Sequence, residues 1–330
     1  MSLEPPPNRA VLSVIIPAYC EGDGLRALAD RLTAVLDRLP APAEVILVDD
    51  HSTDHSTRVM REIAAKDARF QFVRLSRNSG SHMAILAGLE QARGECAVFM
   101  AADLQDPPEL IPELLDRWRQ GFKTVWAVRA KREGVPWIDR AFAKCFYWLL
   151  NRFGEVALPP DGADFALIDA AVVRALVESV GANPSIFAEI AKLGFSQTEL
   201  AYTKTARQFG ESKWGLRKKL KLFADTFVAF SYAPIRSMSY FGLTVAVLGF
   251  IYAMVVIVKH LVWGHPVEGW ASIMVAVLII GGVQMLMLGV LGEYLWRTLD
   301  EARRQPRYFI EESTQLDRAK TATGVPPEPR

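Results

Sequence analysis

Residues Glu44–Asp54, EVILVDDHSTD, set the reading of the whole chain. Val45 to Val48 form an uninterrupted aliphatic run that stops at two carboxylates, Asp49 and Asp50, and a helical pattern follows from Asp54 to Lys66. A strand that is apolar on both faces belongs in a parallel sheet covered by helices on both sides. The unit recurs: VLSVIIPAY precedes a helix over Leu25–Leu39, FQFVRLS one over Ser81–Ala92, ECAVFMAAD one over Pro108–Arg119, and KTVWAVR one over Pro136–Phe153. Strands alternating with helices predict an α/β, Rossmann-like fold with a mostly parallel sheet.

Ligands of such folds bind outside the carboxyl ends of the strands. That rule selects four loops: PAYCEGDG from Pro17, DDHSTD from Asp49, SRNSGS from Ser76 and ADLQDPP from Ala102. Charge at a buried strand end is costly unless it is paired or bound to a cation. Asp49, Asp50 and Asp103 therefore stand out, whereas Asp54 and Asp106 read equally well as helix caps. No Walker A or GxGxxG element accompanies the strands. A phosphate-bearing ligand would then be neutralised by a carboxylate-held Mg²⁺ or Mn²⁺, assisted by Arg and Lys.

Past Gly154 the pattern loosens. PPDGADFALIDAAVV reads as a turn-rich loop leading into a helix, and NPSIFAEIAKLGF as another helix. In SKWGLRKKLKLFADTFVAF, Leu216, Leu220, Phe223, Phe227 and Phe230 recur at helical spacing around a basic cluster. Such a helix suits the headgroup interface, a plain packing helix being the alternative.

Two uncharged runs follow, Ser237–Val258 and Gly269–Gly292. Each exceeds the ~20 residues that cross a ~30 Å hydrocarbon layer. The short connection KHLVWGHPVEGW makes them a hairpin. Lys213, Arg217, Lys218, Lys219, Lys221 and Arg236 precede it and Arg297, Arg303, Arg304 and Arg307 follow it. By the positive-inside rule both termini and the α/β region are expected in the cytoplasm.

Composition narrows the classes further. The 330 residues suggest two units, and a formal charge of +1 gives no basic excess for nucleic acid. Cys20, Cys96 and Cys145 are odd in number and widely spaced, which fits a reducing compartment and no zinc site. MSLEPPPNRA carries neither a basic nor an apolar leader region, so no cleaved signal is expected. The tail from Thr314 is polar and Pro-containing, the composition of a disordered segment.

Five ordered motifs, SVIIPAYCEGDGL, VILVDDHSTD, LSRNSGSHMAILAGLEQARGE, AADLQDPPELIPELL and RQFGESKWGLRKKL, precede the hairpin. Together they resemble the family 2 inverting glycosyltransferases of the polyprenyl-phosphate type, over Val11 to about Tyr308. The resemblance implies a GT-A domain over 11–210 after a short extension (1–10). An amphipathic juxtamembrane segment (211–235), a two-span hairpin (236–297) and a tail (298–330) follow. Pro17, Tyr19 and Glu21 match the loop that cradles the nucleotide, Asp49 a residue on the base side, and Arg129 a basic residue near the phosphates. Asp103 and Gln105 match metal ligands for Mg²⁺ or Mn²⁺, with Asp103 also counted as catalytic. Arg207, Ser212 and Lys213 match the loop that meets the lipid phosphate, and Asp164 is the implied base or orienter of the acceptor.

The implied partners are a nucleotide sugar, most often a UDP-sugar, a polyprenyl phosphate such as undecaprenyl phosphate, and the bilayer. The implied assembly is a homo-oligomer, a tetramer among the options, in the inner membrane.

The chain departs from the family twice: Ala101 stands where the first carboxylate of DADLQ is common, and Ala166 where an Arg often stands. Both are expected near the sugar or phosphates. Of the rival classes, a processive polysaccharide synthase shares the fold but would need more spans and a Q-x-x-R-W motif, which is absent. A channel or scaffold leaves the strand-end carboxylates unexplained, and a soluble nucleotidyltransferase leaves the hairpin unexplained.

Overall fold

The computed structural model describes residues 11–129, 165–179, 185–203, 233–263, 269–303 and 306–314. The helix expected over Pro136–Phe153, the amphipathic segment up to residue 232 and the tail beyond Thr314 lie outside the described residues. So do Asp164, Arg207, Ser212 and Lys213. The chain divides into two units, one holding the sheet and the other the two long helices.

The alternation read from the sequence appears in order: β1 (Leu12–Ala18), α1 (Gly22–Leu36), β2 (Ala43–Asp49), α2 (Ser56–Lys66), β3 (Phe70–Leu75), α3 (Ser81–Gln91) and β4 (Cys96–Phe99). A 3₁₀ turn (Pro108–Leu110), α4 (Ile111–Arg119) and β5 (Thr124–Arg129) follow. After these come β6 (Phe165–Asp169), α5 (Ala170–Ser179), α6 (Ile186–Lys192), β7 (Gln197–Tyr202) and, beyond the long helices, β8 (Ile310–Ser313). One eight-stranded sheet results, in the order β7-β5-β6-β4-β1-β2-β3-β8, with β6 and β8 antiparallel to their neighbours.

The apolar strands are buried on both faces, as their composition demands. From β1, Val14 and Ile16 pack with Leu28 and Leu32 of α1 and Leu114 of α4, while Ile15 faces Ala84, Ile85 and Leu86 of α3 on the other side. A fully buried aliphatic side chain contributes about 1.5–3 kcal/mol, so these central strands fix the register. Close packing of α3 requires a glycine, because a Cβ on Gly88 would lie 2.3 Å from Ile15 Cγ2.

Three strands depart from the sequence reading. FALID was expected as loop and helix start, yet Phe165–Asp169 is a fully buried antiparallel strand between β4 and β5. A five-residue apolar run that continues into helix-forming residues carries no periodicity that separates the two. β7 and β8 were not foreseen. β8 covers the outer edge of β3, pairing Val73 with Ser313 and Arg74 with Glu312, and the Thr314 hydroxyl donates to Phe72 O at 2.9 Å. An open strand edge invites pairing with another chain, and β8 closes this one.

The second unit contains α7 (Ala233–Trp263) and α8 (Trp270–Ala302), each longer than the apolar run inside it. Large apolar side chains lie exposed along both, among them Phe250, Tyr252, Leu261, Ile273 and Met285. Gly242 of α7 lets Met287 of α8 approach, since a Cβ there would meet its Cε at 3.2 Å. Of the two spans read from the sequence, only α8 meets a membrane-crossing criterion of length and apolarity among the described residues, over Ile279–Trp296. The apolar stretch of α7 is shorter, Tyr240–Tyr252.

Candidate active site

The carboxyl ends of β1, β2, β3 and β4 open on the four loops singled out by the sequence. The first two loops are joined by hydrogen bonds. Cys20 N donates to Ser52 Oγ at 2.9 Å, Glu21 N to Ser56 Oγ at 3.0 Å, and Gly22 N to Asp54 Oδ2 at 3.4 Å. Pro17, Tyr19 and Glu21 are half-buried on this first loop. Asp54 also accepts from Ser56 N at 2.9 Å, at the start of α2. Burial alone would raise the Asp54 pKa, but the hydrogen bonds from Ser56 and Gly22 prevail and hold it below the usual carboxylate value.

Asp49 is fully buried. Its Oδ1 accepts from Ser52 N at 2.8 Å, and its Oδ2 accepts from Thr57 Oγ1 at 2.6 Å and from Arg74 Nη1 at 2.8 Å. Asp50 reaches the other way, with Oδ1 accepting from Ser79 N at 2.7 Å and Oδ2 from Gly80 N at 2.9 Å. Both N–H groups lie just before α3, Gly80 as its N-cap residue. Burial raises the Asp50 pKa, against the pull of those two donors. The two adjacent carboxylates thus tie loops together: Asp49 holds the DDHSTD turn and Asp50 draws SRNSGS toward it.

The fourth loop follows β4. Asp103 is 9% exposed, and its Oδ1 accepts from Gln105 N at 3.2 Å across a turn in which Leu104 has φ +60°. Asp106 is fully buried and does not cap the following 3₁₀ turn through its side chain; it accepts a hydrogen bond from Tyr202 Oη. Tyr202 ends β7 and pairs with Arg129 at the end of β5, so the ends of β5 and β7 lie beside the Asp103 loop. Cys20, His51 and Leu104 are the non-glycine residues with positive φ among those described, and all three sit on these loops. Left-handed backbone costs roughly 1–2 kcal/mol per ordinary residue, and such strain collects at functional sites.

Sequence-expected residues divide accordingly. Pro17, Tyr19, Glu21, Asp49, Asp103, Gln105 and Arg129 all lie at the same sheet edge. β6 begins there too, with Phe165 beside Ala127. The enclosed Asp49 carboxylate serves that edge as a brace for its loop. Ala101 is half-buried on the fourth loop. Ala166, expected near the sugar, is instead fully buried in the core with Phe99 and Trp126, in a place that would not accept a guanidinium. Sequence reasoning missed Arg74 and the Asp106–Tyr202 contact. Arg74 was legible only as the single charge in FQFVRL.

Residues 13–177 match glycosyl transferase family 2, and residues 233–297 match the GtrB C-terminal hairpin. The chain therefore belongs to glycosyl transferase family 2, and the sheet is its GT-A domain. Among its relatives is the uncharacterized glycosyltransferase sll0501 of Synechocystis sp., 37% identical over 93% of this chain and 96% of that one. Undecaprenyl-phosphate 4-deoxy-4-formamido-L-arabinose transferase of Edwardsiella ictaluri is 34% identical over 91% and 93%. Bactoprenol glucosyl transferase of Shigella phage SfV is 30% identical over 92% and 99%.

Proposed function

We propose that this enzyme transfers a sugar from a nucleotide-sugar donor, a UDP-sugar, to polyprenyl phosphate with inversion at the anomeric carbon. The observation that carries the reading is the stitched set of loops around the Asp103–Gln105 turn, in a chain that also bears the GtrB hairpin. The names of relatives that act on undecaprenyl phosphate and bactoprenol support the acceptor class. On this reading α7 and α8 cross the membrane as a hairpin, with the sheet unit and both chain ends on the cytoplasmic side.

Among the described residues no group of three or more His, Cys, Asp or Glu side chains is placed to hold a metal ion. One carboxylate and one amide oxygen nevertheless fit Mg²⁺ or Mn²⁺, ions that take few protein ligands and complete their shell with substrate phosphates and water. Asp103 and Gln105 would hold the ion, which when bound would offset charge on the departing nucleoside diphosphate.

The chain's own residues divide the remaining work. Pro17, Tyr19 and Glu21 face the nucleoside, the DDHSTD loop that Asp49 braces takes its base side, and Arg129 supplies positive charge to the phosphates. Arg207, Ser212 and Lys213 receive the lipid phosphate. A phosphomonoester has a second pKa of about 6, so the attacking oxygen is largely ionised at neutral pH. Asp164 then orients the acceptor or takes the residual proton. The test is to supply labelled nucleotide sugars one at a time with undecaprenyl phosphate and the membrane-embedded enzyme. The expected product is butanol-extractable and labile to mild acid; a growing polymer or a water-soluble product with every donor would overturn the proposal.

A further inference from the structure

We infer that Glu311, in the segment that follows α8, is a positioning residue for the donor site and acts through Arg74. The inference rests on the reading that the DDHSTD loop takes the donor nucleotide. Arg74 is the penultimate residue of β3, and its side chain is only 16% exposed. Its guanidinium bridges two carboxylates: Nη1 donates to Asp49 Oδ2 at 2.8 Å and also meets Thr57 Oγ1, while Nε donates to Glu311 Oε2 at 2.9 Å. Asp49 passes the constraint on through Oδ1, which accepts from Ser52 N. A continuous line of charged and hydrogen-bonded groups therefore runs from β8 to the loop.

A second contact reaches the same loop. Glu311 Oε2 lies 3.7 Å from His51 Nδ1, and that nitrogen is also 3.2 Å from Leu75 O. His51 is the loop residue with φ +59°. One carboxylate on β8 thus faces both the arginine beneath the loop and the residue at its bend. The neighbouring Glu312 points elsewhere: it accepts from Arg61 Nε of α2 at 2.9 Å.

Guanidinium donors are fixed in a planar fork, so holding Nε also sets the direction of Nη1. Without Glu311 the fork loses one anchor and the Asp49–Thr57 contact loses its set orientation. Glu311 is half-exposed, and exposed ion pairs contribute little to stability. Its loss should therefore be felt in donor binding before it is felt in folding.

The experiment measures binding of UDP and of GDP, each with Mn²⁺, to the full chain in lipid nanodiscs, together with steady-state kinetics. For Glu311→Gln the expected result is a 3- to 10-fold weaker Kd for whichever nucleotide the wild type binds and a matching rise in donor KM. kcat, acceptor KM and melting temperature should stay near wild type. Glu311→Asp should recover part of the loss, and Glu312→Gln should leave nucleotide binding unchanged. Equal effects of Glu311→Gln and Glu312→Gln would make β8 an edge cover alone and overturn the inference. Asp49→Asn separates the two levels of the argument. If it weakens nucleotide binding while Glu311→Gln does not, the inference falls and the donor-loop reading stands; if neither does, both fall.

Discussion

Ser52 and Ser56 offer a direct way to ask whether the first two loops act as one donor-binding surface. Both are buried, at 5% and 0% exposure, and their hydroxyls accept from the consecutive N–H groups of Cys20 and Glu21. Replacing either by Ala deletes one acceptor and leaves a part-buried donor without it, a loss of about 1–3 kcal/mol. Water can reach the half-buried first loop, so the lower end applies and each single substitution should cost about 1 kcal/mol. In a domain of this size that corresponds to roughly 2–4 °C in melting temperature. The two sites hold one short segment, so the double variant should cost less than the sum of the singles. If the donor binds only the joined loops, its apparent Kd rises as the joined fraction falls, by up to about fivefold per kcal/mol. Calorimetric titration of nucleoside diphosphate, beside thermal melting, reads both quantities on the same samples. A double variant that melts earlier yet binds the nucleotide as tightly as wild type would refute the idea that these loops form one site.

Other perturbations probe separate parts of the argument. Asp103→Ala should abolish sugar transfer, and a rate above a tenth of wild type in saturating Mn²⁺ would remove Asp103 from the metal site. Ala101→Asp, on the same loop, should alter the preference among nucleotide sugars, read from a donor panel; an unchanged ranking would leave Ala101 without a role in specificity. Gly88→Ala places a Cβ 2.3 Å from the fully buried Ile15 and should destabilise by about 1–2 kcal/mol in denaturant titration. Asp169, far along the sheet from the loops, is buried, which would raise its pKa, yet Lys123, Ala171 N and Trp118 together hold it below the usual carboxylate value. A depressed carboxylate contributes stability above its unfolded pKa that is lost as pH falls through the folded one. Asp169→Asn should therefore lower the melting temperature at neutral pH and narrow its difference from wild type below about pH 4, where wild type loses the same contribution.

The central sheet was legible because Val45–Val48 and Leu12–Ala18 are apolar on both faces and are followed by helical patterns with clear breaks. β6 was not, because its apolar residues run into ALIDAAVVRALV without punctuation and only pairing with β4 and β5 extends them. β7 and β8 carry Glu199, Glu311 and Glu312 within strands of six and four residues, at the sheet's margins. Strand preference there comes from the neighbouring edge, which no local pattern encodes. In the sequence Ile310–Ser313 is simply part of a polar tail.

The site was legible by position and less so by role. Three buried carboxylates end strands or follow them, and the cost of burying charge marks all three equally from the sequence. Their partners separate them. Asp49 is balanced by Arg74 and two further donors, and Asp50 by the N–H groups of Ser79 and Gly80 just before α3, so neither requires a cation. Asp103 sits on the strained turn at Leu104 with Gln105 one residue beyond. The proposed metal site stays at this one turn, as the sequence resemblance implies. In that proposal the absence of a carboxylate at Ala101 bears on how the donor is held, and Asp103 with Gln105 remains the ligand pair. Asp49 and Asp50 brace the loops they join. Asp49 accepts from its own loop, α2 and β3, and Asp50 from the SRNSGS loop, so the edge of the sheet keeps one shape before any substrate arrives.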